Sequence, residues 1–107
     1  MANLRSKRER AFHKQHGRCT YCGHRMWLKN AAELFPLKSR SARQWQATAE
    51  HLLARCDGGT NAGDNIAAAC LYCNMHRHRR KMPVDPLAYR AYVLKRLAVG
   101  RWHRPNP

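Results

Sequence analysis

The chain has 107 residues, which is enough for one domain with a small hydrophobic core. Lysine and arginine number 21 against 6 acidic residues, so the formal net charge is +15 and a polyanionic partner such as nucleic acid is expected. No apolar stretch reaches the roughly 18 residues of a membrane helix, and the charged N-terminus lacks the apolar region of a secretory signal, so we expect neither a membrane span nor secretion.

The first part of the chain predicts a basic helix followed by a segment of mixed character. Residues 3–16 favour a helix because apolar side chains can share one face, and Gly17 is a typical stop signal. A cysteine-containing turn comes next. Residues 24–44 carry apolar side chains that can pack, with a short helix expected over 30–34 and a basic loop over 39–43.

The middle of the chain predicts two strands. Residues 45–53 suit a strand, and residues 66–69 form a short apolar return strand. The connection between them contains Gly58-Gly59, which is a turn signal. This part therefore indicates a β-hairpin with a long loop.

Two helices are predicted after the hairpin. Residues 74–81 favour a helix that ends before Pro83, and Asp85 is a typical N-terminal cap for another helix over 86–99. Apolar side chains recur along that last helix and predict the face that it buries. The expected members of this face are Leu87, Ala91, Leu94 and either Leu97 or Ala98.

Four of the five cysteines form two Cys-x-x-Cys pairs, Cys19 with Cys22 and Cys70 with Cys73. Zinc prefers four soft ligands in a tetrahedron, and each pair can place two thiolates on one ion without strain. The pattern predicts a shared structural zinc ion in a reducing compartment. Two disulfides or a redox pair are the alternatives, and Cys56 is expected to be a free loop thiol.

A larger set of short motifs surrounds the cysteines. Its members are Cys19, Cys22, Gly23, Ala49, Glu50, His51, Leu52, Asp57, Gly58, Gly59, Asn65, Ile66, Cys70, Cys73, Asn74 and His78. In this combination the chain resembles the HNH endonucleases, in their cysteine-containing ββα-metal form. The resemblance implies an α+β fold, with a small ββα-metal core over about 17–82 and flanking basic helices, in a single domain over 1–107.

A second metal site is expected beside the zinc site. Asn74 and His78 are four positions apart on a predicted helix, so they share a face, and Glu50 lies on the strand expected to pack there. Their oxygen and nitrogen donors suit Mg²⁺ or Mn²⁺, with other first-row ions left open. Asn74 as a helix cap and His78 as a solvated basic residue are the alternatives, and His76 is a rival ligand on a different helix face.

The resemblance also implies the reaction. His51 would be the general base that takes a proton from water, and the products would carry 5′-phosphate and 3′-hydroxyl ends. Asn65 would tie down the Gly58-Gly59 loop and fix His51. The sequence departs from the family pattern at Glu50, where Asp or His is more frequent, and in the long segment before residue 45, which could be a packing element or a DNA-contacting insertion.

The expected partner is DNA, most simply double-stranded. Basic residues on the flanking helices would bind phosphates. They are Arg5, Lys7, Arg8, Arg77, Arg79, Arg80 and Lys81. A zinc-stabilised nucleic-acid-binding module without catalysis and a zinc-held adaptor for protein partners are the alternative functions. We expect a cytoplasmic protein of a bacterial cell or a phage-infected host, with a homodimer or larger complex left open.

Overall fold

The computed structural model describes residues 3–35 and 40–103. Within these residues, three α-helices surround a two-stranded antiparallel sheet, which confirms the predicted α+β class. Four short 3₁₀ helices occur in the connections. The helices and strands are α1 (Leu4–Lys14), β1 (Ala47–His51), β2 (Ile66–Cys70), α2 (Leu71–His78) and α3 (Pro86–Ala98).

Helix α1 begins at an asparagine cap and packs against the sheet. The Asn3 side chain accepts a hydrogen bond from the Ser6 backbone N–H over 2.8 Å. After the helix ends, Gly17 adopts a φ of 74°, the left-handed conformation that glycine tolerates best. The Gln15 side-chain amide then bonds to both the N–H and the C=O of Ala68 in β2. The predicted basic helix is therefore present and is attached to the sheet.

The hairpin places β1 and β2 side by side, from Ala47 opposite Cys70 to His51 opposite Ile66. All five residues of β2 are buried, and three of them are alanines. Small side chains let the helices approach the sheet closely. Both strands fall at the predicted positions, although β1 is shorter than the range 45–53.

Helix α2 begins earlier than predicted. We expected a start at residue 74, whereas the helix begins at Leu71 because Cys70 acts as its N-terminal cap. The Cys70 sulfur accepts a hydrogen bond from the Cys73 N–H over 3.4 Å. The second cysteine pair is thus the first turn of α2, and the strand passes directly into the helix.

Helix α3 starts as predicted, with Asp85 accepting hydrogen bonds from the N–H groups of Leu87 and Ala88. Its predicted buried face is wrong in most positions. Leu87 is 78% exposed, whereas Tyr89 and Val93 are fully buried. The Tyr89 hydroxyl donates to the Cys73 carbonyl over 2.7 Å and its ring packs edge-on against Tyr21, which turns this face towards the core. Of the predicted face, Leu97 is half-buried and packs against the core; Ala91, Leu94 and Ala98 are exposed.

The long segment before β1 forms a second small core. The expected short helix is a 3₁₀ turn, Ala31–Glu33, held by a reciprocal cap between Asn30 and Glu33. The predicted loop over 39–43 is instead another 3₁₀ helix, Arg40–Trp45, and residue 39 lies outside the described residues. The Trp27 indole N–H donates to the Ala42 carbonyl over 2.7 Å. The two 3₁₀ helices also bury an apolar cluster between them, so both are held by tertiary contacts. The cluster consists of Phe35, Ala42, Trp45, Trp27, Ala31 and Leu34.

Candidate active site and zinc site

The four paired cysteines converge at the centre of the main core. Their sulfur atoms all lie within 4.8 Å of one another, and every one of these residues is buried. All four are free thiols, so the alternative of two disulfides is not observed. Within the described ranges this is the one group of three or more His, Cys, Asp or Glu side chains close enough to share an ion. Four buried sulfur donors suit zinc, as the sequence predicted.

Hydrogen-bond donors surround these sulfur atoms. Backbone N–H groups of Tyr21 and Cys70 donate to Cys19, and the indole N–H of Trp102 donates to Cys73 over 3.3 Å. Such donors stabilise thiolate charge and orient metal ligands. Hydrogen bonds with the thiol of Cys19, and to a lesser extent with those of Cys70 and Cys73, lower the pKa of Cys22.

A separate cleft of about 330 Å³ opens beside the end of β1. It brings together four of the predicted site residues, since β1 contributes Glu50 and His51 while α2 contributes Asn74 and His78. The remaining lining residues are Ala49, Ala54, Arg55 and Cys56. Cys56 is the exposed loop thiol that the sequence predicted.

Glu50 is 1% exposed, and both of its carboxylate oxygens have partners. Oε1 lies 2.7 Å from His78 Nε2. Oε2 accepts from the Tyr21 hydroxyl over 2.8 Å and from Arg77 over 3.2 Å. Burial raises the pKa of Tyr21, and the nearby Glu50 charge raises it further, so Tyr21 remains a donor at neutral pH.

His51 is held by a residue that the sequence analysis missed. Its Nε2 lies 2.7 Å from Asn61 Oδ1 and 3.3 Å from Arg55 Nε. An amide oxygen can only accept, so the shorter contact needs a proton on Nε2, whereas the longer one needs Nε2 to accept from Arg55 Nε–H. The 2.7 Å distance favours the first arrangement, in which the lone pair is on Nδ1 and the Arg55 Nε contact is not a hydrogen bond. Arg55 Nη2 also donates to Asn61 Oδ1 over 3.3 Å, which orients the amide. No local pattern marks Asn61, because the loop alone brings it back to His51.

Asn65 closes that loop. Its amide nitrogen donates to the carbonyls of Leu53 and Thr60, and its oxygen accepts from the Leu53 N–H over 2.8 Å. The loop is too tight for a side chain at Gly59, where a Cβ would lie 1.7 Å from the Leu53 oxygen. Asn65 bonds to the loop and not to His51 itself, so any influence on His51 passes through the loop residues next to Asn61.

Two residues of α2 have contacts that exclude their alternative roles. Asn74 lies inside the helix and donates to Thr48 Oγ1 and the Ala49 carbonyl, so it is not the cap. His76 bonds to the Tyr72 carbonyl and stacks on the Tyr72 ring, on another face. Glu50 Oε1, Asn74 Oδ1 and His78 Nε2 are therefore the donors that could hold a divalent ion in the cleft, and this mixed set fits Mg²⁺ or Mn²⁺.

The sequence model of the HNH endonuclease family matches residues 19–80, which is more than half of the chain. The chain belongs to the HNH endonuclease family. Searches of curated proteins and of solved structures found no match. No helix in the described part of this HNH protein is long and apolar enough to cross a membrane.

One basic residue of the HNH protein is placed differently from the prediction. Arg77 was expected to contact nucleic acid, but it is 2% exposed. Its guanidinium donates to Glu50, to the Tyr21 hydroxyl and to the carbonyls of His51, Leu52 and Val84. These bonds use Nε, Nη1 and Nη2 of the guanidinium, so Arg77 is a buried partner of the Glu50 carboxylate and not a phosphate contact. A buried glutamate needs a cationic partner. An expected burial of Glu50 is therefore the signal that could have identified the role of Arg77.

The other predicted contact residues lie on α1 and in the segment after α2. On α1, Arg5 is exposed and Lys7 donates to the Asn61 carbonyl, which sets the helix beside the His51 loop. Arg8 is half-buried. After α2, the exposed basic residues are Arg79, Arg80 and Lys81. The Arg80 guanidinium lies 4.7 Å from the centre of the Tyr92 ring.

Proposed function

We propose that this protein is a divalent-metal-dependent DNA endonuclease that leaves 5′-phosphate and 3′-hydroxyl ends. The observation that carries the proposal is the single cleft shared by Glu50, His51, Asn74 and His78. A net charge of +15 supports a polyanionic substrate. The family match supports nuclease chemistry at the family level.

His51 acts as the general base in this proposal. Nδ1 carries the lone pair, so it accepts the proton of an attacking water while Nε2 keeps its proton on Asn61 Oδ1. The imidazolium that forms is stabilised by the amide oxygen, and Arg55 keeps that amide oriented. Asn65 keeps the loop closed so that the pair stays aligned.

Glu50, Asn74 and His78 would hold the catalytic ion, Mg²⁺ or Mn²⁺ in the first instance. When bound, such an ion offsets negative charge on the phosphate and on the departing 3′ oxygen. Glu50 Oε1 and His78 Nε2 lie 2.7 Å apart, so one ion could contact both atoms. Arg77 and Tyr21 keep Glu50 Oε2 occupied, which directs Oε1 towards His78.

DNA binding in this proposal uses the basic residues on α1 and after α2. Their charges neutralise phosphates and position the scissile bond, and they carry affinity without choosing a sequence. The residues are Arg5, Lys7, Arg8, Arg79, Arg80 and Lys81.

A zinc-held nucleic-acid-binding module without catalysis is the second candidate. The observation that favours it is the full pairing of Glu50, because a carboxylate bonded to Arg77, Tyr21 and His78 can be purely structural. This candidate retains the zinc site and the positive charge. It predicts that DNA is bound and left intact.

Plasmid nicking separates the two candidates. Supercoiled plasmid is incubated with wild type in EDTA, Mg²⁺ or Mn²⁺, beside His51→Ala and the matched control His13→Ala, an exposed histidine on α1. Circular dichroism recorded in each buffer shows whether EDTA disturbs the fold. Metal-dependent nicking by wild type and His13→Ala, lost in His51→Ala, supports the enzyme. DNA binding without nicking in any buffer supports the binding module.

A further inference from the structure

A second groove lies next to the catalytic cleft and is not used by the mechanism above. It measures about 600 Å³ and runs between the 3₁₀ helix Arg40–Trp45 and α2. Leu71 and Met75 are its apolar members, and Arg43 and Arg79 are its exposed cations. The groove therefore combines an apolar surface with positive charge.

The groove and the cleft are adjacent faces of the same helix. Residues 71, 75 and 79 of the groove recur every four positions, and Asn74 and His78 follow the same spacing in the cleft. Successive helical residues are about 100° apart, so the two rows are neighbouring stripes along α2. The groove is therefore a neighbouring surface that a strand with a phosphate in the cleft could also contact.

One side of the groove is a rigid aromatic wall. The rings of Tyr72 and His76 are stacked, with centroids 4.0 Å apart. Trp102 packs edge-on against Tyr72 at 5.0 Å and tilted against His76 at 5.3 Å. Because the wall is already held by the core, a ligand can contact it without ordering it first.

We propose that this groove is a subsite for the nucleotide that flanks the scissile phosphate in DNA. Arg43 and Arg79 match the charge of the flanking phosphates, while Met75 and Leu71 offer a polarisable apolar surface to a sugar or base. Met75 is 44% exposed, which leaves its thioether accessible. The inference rests on the proposed function and gives the long segment before β1 a role in substrate binding.

The affinity of full-length variants for a short fluorescent DNA duplex tests the subsite. Met75→Glu places a negative charge in the groove and is expected to raise Kd about tenfold. The matched control is Met82→Glu, because Met82 is 83% exposed and lies outside the groove. Equal Kd values for the two variants would overturn the inference.

The arginines give a second and independent readout. Arg43→Ala and Arg79→Ala are each expected to reduce the log–log salt slope of binding by about 0.9, beyond any change in Arg90→Ala, an exposed control on α3. Because Arg43 and Arg79 are at the surface, their replacement should not disturb folding. These two variants therefore test the subsite even if Met75→Glu fails to fold. Slopes that match the control would count against the subsite.

Base removal tests the contact. A duplex with several abasic positions is compared with the intact duplex, and wild type is expected to bind the abasic duplex more weakly. In Met75→Glu this difference should disappear. Equal affinity of wild type for the two duplexes, or an equal difference in Met75→Glu, would overturn the subsite while leaving nicking by wild type intact. Absence of nicking, by contrast, is a failure of the proposed function, and the binding comparison still reports on the groove.

Discussion

The Tyr21 hydroxyl donates to Glu50 Oε2 over 2.8 Å. Tyr21 lies between Cys19 and Cys22, so the turn that carries two sulfurs of the cysteine cluster also holds the carboxylate of the candidate cleft. The two sites are therefore mechanically linked through a single side chain. Several consequences can be measured.

Tyr21→Phe tests this link directly. The ring keeps its edge-on packing against Tyr89 at 4.8 Å, but the buried carboxylate loses one donor. We expect the free energy of unfolding to fall by about 1.5–3 kcal/mol, because a buried hydrogen bond to a charged carboxylate is lost while Arg77 still pairs with Oε2. Urea denaturation measures the change. Tyr92→Phe, at a partly exposed tyrosine on α3, is the control and should stay within error of wild type.

Arg77→Met should be more damaging than any exposed arginine change. It leaves Glu50 buried without its cation and removes donors from three backbone carbonyls. The expected loss is about 3–5 kcal/mol in the free energy of unfolding, as for a broken buried ion pair. Arg80→Met serves as the surface comparison. Equal denaturation midpoints for the two variants would contradict the buried role of Arg77.

Cys70→Ser should abolish zinc binding and native structure together. Cys70 contributes a sulfur to the tetrad and also caps α2, so its loss affects both features. Zinc content by atomic emission and near-ultraviolet circular dichroism measure the two effects. Cys56→Ser, at the exposed thiol, should keep both. A Cys70→Ser protein that remained folded without zinc would refute the structural role of the metal.

Asn61→Ala should slow catalysis without weakening DNA binding, if the proposed function holds. The change removes the oxygen that fixes the His51 tautomer, while the backbone carbonyl bonded by Lys7 remains. We expect kcat to fall at least about tenfold with little change in KM, since general-base catalysis depends on alignment. Thr60→Ala, next to Asn61, is the control. A larger effect on KM than on kcat would argue against this positioning role.

Glu33 predicts a pH dependence of stability. Burial alone would raise its pKa, but hydrogen bonds from the N–H groups of Leu28, Lys29 and Asn30 outweigh that effect and lower it below 4.5. A lowered folded-state pKa stabilises the protein above the unfolded value, and this contribution disappears as pH falls through the folded value. The Tm difference between wild type and Glu33→Gln should therefore shrink once pH drops below 4.5.

Asp64→Asn provides the comparison for that experiment, since Asp64 is an exposed acid outside the Glu33 cap. Its Tm difference from wild type should vary less over the same pH range. A constant difference for Glu33→Gln down to the lowest pH would show that the cap does not depend on the charge of Glu33.

The sequence predicted the parts of the fold that short motifs specify. The hairpin, α2 and the cysteine cluster follow from Cys-x-x-Cys spacing and from the residues around His51, and the structure has all three. The buried face of α3 was wrong because Leu87 and Leu94 are as apolar as the side chains that are buried. Only the Tyr89 hydroxyl bond to the Cys73 carbonyl and the packing on Tyr21 distinguish the two faces.

The candidate site was predicted in its main residues but not in its supporting ones. Glu50, His51, Asn74 and His78 line one cleft, as expected. Arg77 was misread because it belongs to a basic run, and burial of one member of such a run depends on tertiary contacts. Asn61 could not be foreseen, because its contact with His51 depends on the loop conformation.

The bond pair between Gln15 and Ala68 has a consequence for the behaviour of the protein in solution. Strand β2 has β1 on one side, and on its other side the Gln15 amide takes both the N–H and the C=O of Ala68. The Thr20 N–H also donates to that carbonyl. A side chain thus imitates a neighbouring strand at the open margin of the sheet, which keeps an alanine-rich strand from recruiting another chain and seeding aggregation.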